Sequence, residues 1–94
     1  NTRHSLTVTR NIHRLVQTAR PVLVSLSNKD FVGETLDAPV EERLLGTLAA
    51  TAISSWQGAQ VFRVHEPQET RQVLAMVQSI AGDRQPAVAR RGLA

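Results

Sequence analysis

The sequence contains no cysteine and only three residues with large aromatic rings, Phe31, Trp56 and Phe62. The first absence excludes a disulfide scaffold and thiolate-bound zinc. The second means that the core must be aliphatic, built on Leu, Val, Ile and Ala. No apolar run approaches the roughly 18–20 residues that would span a bilayer, and the N-terminus has no signal-peptide pattern. A cytoplasmic protein with no membrane partner is therefore expected. Lysine is scarce too: Lys29 stands alone among eleven basic residues. The chain opens on Asn1 inside what reads as a helix, and the expectation is that further sequence precedes it.

What is present is the composition of one small domain. The chain has 94 residues and a hydrophobic share of 41%, ordinary for a globular protein. The isoelectric point of about 11.1 invites a nucleic-acid reading, but the charge is unevenly spread. Residues 83–94 hold three arginines and one acid, which leaves eight basic and seven acidic residues in the body. The basic character belongs to a Pro/Gly/Ala-rich tail without apolar periodicity, expected to be flexible. A non-catalytic module using that tail is the weakest reading, and no nucleic-acid partner is expected.

Along the chain, Val8, Ile12, Leu15, Val16 and Ala19 recur at helical spacing and predict one amphipathic helix over residues 2–19. Pro21 forbids its continuation. Residues 22–26 form a short apolar run of the kind a strand buried on both faces shows. Residues 27–36, polar and holding Gly33, read as a loop. Asp37, Ala38 and Pro39 then open a second helix to Gln57, with Glu41 and Glu42 at its positive end and Gly58 beyond its C-terminus. A second strand is predicted over residues 61–64. A third helix runs from Pro67 to Gly82 with Val73, Val77 and Ile80 as its buried stripe. A strand–helix–strand unit of this length makes two parallel neighbours. Two such strands need further strands and cover on both faces.

In parallel α/β architectures the loops after the strand C-termini form the ligand site. Here those loops carry Ser27, Asn28, Lys29 and Asp30 after the first strand, and His65 after the second. Arg63 lies within a strand that is otherwise apolar. A buried guanidinium is costly unless paired, so a partner is expected, either a protein acid or an anion. Arg63 and His65, two residues apart, share one side of the strand and make an anion clamp. A structural pairing of Arg63 with a carboxylate stands beside that reading. No His/Asp/Glu spacing forms a complete metal site, and no base lies near Ser27 in the sequence to make it a nucleophile.

Three segments resemble those of the dihydropteroate synthase family. Residues 21–33, from Pro21 through Lys29 to Gly33, are similar to "PVLVGxSRKSFxG". Residues 42–50, from Glu42 to Ala50, are similar to "ERLxGTLAA", and residues 58–66, which include Arg63 and His65, to "GAxIxRVHDV". The segments stand in the family's order and spacing. The resemblance implies a (β/α)8 TIM barrel, of which this chain supplies a C-terminal fragment: a helix, strand 7, helix 7, strand 8 and helix 8, within residues 1–82. It implies a transferase of folate biosynthesis that joins dihydropterin pyrophosphate to 4-aminobenzoate. It also implies Mg²⁺ on the pyrophosphate, with its ligands expected upstream, and a homodimer as the expected form of the intact protein. Lys29 would contact the pterin ring, and Arg63 and His65 the pyrophosphate.

The departures carry as much. Asn28 stands where the family has arginine, and Asp30 where it has the serine that helps to hold the aminobenzoate carboxylate. Two carboxylates ~4 Å apart at an effective dielectric of ~20 repel by about 4 kcal/mol. The standard reaction is therefore doubtful, and the alternative is a degenerate paralogue that binds pterin or phosphate without it. The 94-residue chain alone is expected to be inactive.

Overall fold

The computed structural model describes residues 1–18, 21–25 and 30–89. In these, five helices and two strands alternate in an α/β arrangement. The first helix, α1 (Thr2–Arg10), starts where the Asn1 side chain accepts a hydrogen bond from the His4 N–H at 2.8 Å, satisfying one of the donors a helix start leaves open. The single helix expected over residues 2–19 is in fact broken. At Asn11 the backbone leaves the helical region (φ −113°, ψ 20°), and α2 (Ile12–Val16) follows. The break has an identifiable cause, a side chain inserted into the backbone ladder. Gln57, from the far end of the chain, accepts from the His13 N–H at 3.0 Å and donates to the Thr9 carbonyl at 2.6 Å. The predicted stripe shifts accordingly. Ile12 is buried and Val16 half-buried, while Val8 and Leu15 are 42% and 49% exposed; Ala19 lies outside the described residues.

Strands β1 (Leu23–Ser25) and β2 (Val61–Arg63) pair in parallel, with Leu23 opposite Val61, Val24 opposite Phe62 and Ser25 opposite Arg63. The parallel neighbours expected from the sequence are thus present, each shorter than predicted. One face of the pair is closed. Val24 joins Ile12, Phe31, Val32 and Ala59 in the buried core, with Phe62, Val22, Val16, Leu6 and Ala50 packed against it. The other face is open, with Leu23 63% and Val61 48% exposed. Within this chain the described helices cover one face of β1 alone.

The predicted loop over residues 27–36 contains a helix instead, α3 (Asp30–Leu36), with Phe31, Val32 and Gly33 buried. Its apolar residues Phe31, Val32 and Leu36 fall on one helical side, and Asp30 complements its positive end. Gly33, the feature that suggested a loop, serves close packing: the Arg43 guanidinium lies where a Cβ would stand. The second predicted helix also starts later than expected. Val40–Glu42 form a single 3₁₀ turn, Arg43 breaks the path (φ −99°, ψ 0°), and α4 runs over Leu44–Trp56. Gly46 lets α4 approach α3 at Val32 and Leu36. Its main helical neighbour is α5 (Pro67–Ala81), and α4 buries Thr47, Thr51 and Ser54. The Thr51 and Ser54 hydroxyls donate back to the Thr47 and Ala50 carbonyls at 2.8 and 2.7 Å.

The ends of α5 are those the sequence predicts, Pro67 in its first turn and Gly82 left-handed at φ +88°. Its stripe is not. Val73 and Val77 are half-buried, Ile80 is 66% exposed, and Thr70 is the residue that is buried. Residues 83–89 follow as exposed chain without regular structure; the rest of the predicted tail lies outside the described residues. No helix among the described residues is long and apolar enough to cross a membrane.

Candidate functional site

Parallel pairing brings the C-terminal ends of both strands to one edge of the sheet. Ser25 and Arg63 are the last residues of their strands and stand opposite each other in register. Alternation puts them on the open face, above the apolar pair Leu23 and Val61, while Val24 and Phe62 turn toward the helices. The expectation that Arg63 is buried beside a protein acid is corrected here. Arg63 is exposed, and among the described residues it forms no ion pair. Within this chain the described helices cover the other face alone, so the guanidinium is open to water and no protein carboxylate is needed beside it. His65 follows in the bend after β2 and is exposed as well.

From the first loop, Ser27, Asn28 and Lys29 lie outside the described residues. Asp30 is the first residue of α3. Its carboxylate is 97% exposed and lies 3.6 Å from a guanidinium nitrogen of Arg43, whose side chain is only 14% exposed. Arg43 also donates from Nε to the Ala38 carbonyl at 3.0 Å. Within this chain the negative charge of Asp30 is thus partly compensated and faces water. Its repulsion of a second carboxylate ~4 Å away falls toward the bulk-water value of about 1 kcal/mol.

The chemistry this arrangement offers is anion recognition. One guanidinium fork at a strand end, next to an imidazole two residues on, suits phosphate oxygens. Among the described residues no group of three or more His, Cys, Asp or Glu side chains could hold a metal ion. Two residues went unnoticed in the sequence. Arg43 is the arginine of the motif that residues 42–50 resemble, but its contacts with Asp30, Gly33 and Ala38 arise only when α3 folds back. Ser25 did give a signal: glycine occupies its place in the motif that residues 21–33 resemble.

A family profile described as pterin binding enzyme matches residues 1–65, from α1 through Arg63 to His65. The chain belongs to that family. It is 57% identical over all 94 residues to a protein of Mycobacterium leprae (strain TN) named inactive dihydropteroate synthase 2, covering 32% of that protein. Among solved structures, the Yersinia pestis dihydropteroate synthase superposes with a TM-score of 0.84 at 32% identity, over 87% of this chain and 39% of the other. A Coxiella burnetii dihydropteroate synthase in complex with pteroic acid gives 0.82 at 28% identity, over 85% and 30%. The chain thus spans about a third of the length of the curated relative it matches. Its α/β arrangement with two parallel strands is that of part of the family's barrel.

Proposed function

We propose that this chain supplies the last two strands and last three helices of a dihydropteroate synthase-type barrel, within residues 1–82, and helps to bind a dihydropterin pyrophosphate. In this reading Arg63 and His65 hold the pyrophosphate and Lys29 meets the pterin ring. The observation that carries it is the position of Arg63 at the C-terminal end of β2, on the sheet face that the described helices leave open. Ligand sites of parallel α/β barrels sit at that end, and the loops after strands seven and eight form the phosphate site.

The test uses the polypeptide that carries this sequence in the cell. Titration calorimetry with inorganic pyrophosphate is compared for the wild type and Arg63→Ala. A charge-assisted hydrogen bond contributes about 1.5–3 kcal/mol, so the variant should bind roughly ten- to a hundredfold more weakly. Its melting temperature should stay unchanged, because the side chain is exposed. A collapse in melting temperature with unchanged affinity would make Arg63 structural and overturn the reading.

A degenerate form of this function is favoured by the name of the mycobacterial relative, an inactive dihydropteroate synthase 2. Asn28 lacks the planar fork with which arginine grips a carboxylate, and Asp30 adds a negative charge beside it. Turnover with 4-aminobenzoate is accordingly proposed to be weak or absent, with pterin pyrophosphate affinity retained. Any magnesium on the pyrophosphate takes its ligands from outside the described residues. The protein acts in the cytoplasm as a homodimer, joined through apolar residues that α4 and α5 expose, among them Leu45, Trp56, Met76 and Ile80.

A further inference from the structure

Ser25 is a polar residue in a place where the sheet asks for none. Along the open face, β1 presents Leu23 and then Ser25, and β2 presents Val61 and then Arg63. The lower pair is apolar, and the upper pair, at the ligand-binding edge, consists of a hydroxyl and a guanidinium. Neighbouring strands lie roughly 4.8 Å apart, so two opposite residues on one face border a common volume. A phosphate group is of the right size to accept from both at once. The Ser25 hydroxyl forms no hydrogen bond among the described residues, so its donor is available. A serine also has little reason to be there for the strand itself, since β-branched or aromatic residues suit a pleated surface better.

We infer that Ser25 is a ligand-binding residue of this site, donating its hydroxyl to the same phosphate group that Arg63 grips. The inference rests on the anion-binding reading above and adds a donor to it. Where the resembled motif has glycine, this chain has placed a short neutral donor beside the guanidinium. Such a donor adds no charge, but it fixes the angle at which the phosphate meets the fork of Arg63.

The experiment is pyrophosphate titration of the polypeptide carrying this sequence, in wild-type, Ser25→Ala, Ser25→Thr, Arg63→Ala and Ser25→Ala/Arg63→Ala forms, with melting curves for each. Ser25→Ala should weaken binding roughly tenfold without moving the melting temperature, and Ser25→Thr, which keeps the hydroxyl, should bind like the wild type. Because both donors meet one phosphate group, the double variant should lose less than the two single losses combined. Wild-type affinity in Ser25→Ala, with Arg63→Ala weakened, would overturn the role of Ser25 and leave the anion site standing. Fully additive losses would overturn the shared phosphate. A wild type that ignores pyrophosphate would overturn both the site and the role of Ser25 in it.

Discussion

Replacing Gly46 with alanine sets two effects of known size against each other. In an unobstructed helix interior the change stabilises by about 0.8–1 kcal/mol, because glycine has more backbone freedom to lose. Here a Cβ at Gly46 would stand 2.6 Å from Val32 Cγ1 and 2.7 Å from Leu36 Cδ1. Leu36 is 53% exposed and can swing aside, but Val32 is 4% exposed and sits in the core. Forcing a methyl group into such packing costs about 1–3 kcal/mol. The cost wins, and Gly46→Ala should destabilise by roughly 1 kcal/mol net. Urea unfolding of the polypeptide that carries the sequence measures it, with Val32→Ala and the double variant completing a cycle. In the double variant the new methyl enters space that Val32 has vacated, so the pair should be better than additive by about 1 kcal/mol or more. A Gly46→Ala protein more stable than the wild type would refute the reasoning, since it would mean that α3 and α4 do not meet at this point.

Gln57→Ala removes hydrogen bonds that tie the end of α4 to the α1–α2 break. It should cost about 2 kcal/mol and speed hydrogen exchange at the His13 amide; exchange as slow as in the wild type would contradict the tie. Asp30→Ser should change stability by no more than about 0.5 kcal/mol, as expected for an exposed ion pair. Aminobenzoate affinity, read by calorimetry, should rise severalfold, and a gain of several hundredfold would mean that Asp30 acts in a dry site after all. Light scattering should report a dimer at micromolar concentration, with Trp56→Glu shifting it toward monomer; a wild-type monomer would remove the dimer proposal.

The parts of the fold that were legible depended on local chemistry. Pro21 and Gly58 punctuate the approaches to the two strands, and Pro67 and Gly82 mark α5, because a ring that fixes φ or a missing Cβ acts on its own neighbourhood. The break at Asn11 was not legible, since its cause is a glutamine 44 positions beyond His13. Gly33 misled for a related reason. It looks like loop punctuation, yet its use is to admit Arg43, which belongs to a later segment. At the candidate site, the place of Arg63 at a strand end could be read from the apolar residues around it. Its exposure could not, because that depends on what covers the open face. Ser25 was readable and was passed over, being small and uncharged beside a more conspicuous arginine.

The pairing of Leu23 with Val61 joins positions 38 residues apart. Closing a loop of that length costs about 3 kcal/mol beyond a constant term, which three register pairs alone do not recover. The helices form from neighbours in sequence and have no such debt, so the sheet is expected to appear late in folding. During synthesis at roughly 5–20 residues per second, β1 would wait about two to eight seconds before its partner is even made. Through that interval the edge of β1 that pairs with β2 stays unmatched, open to other nascent chains. Slowing translation between β1 and β2 should therefore lower the protein's soluble yield.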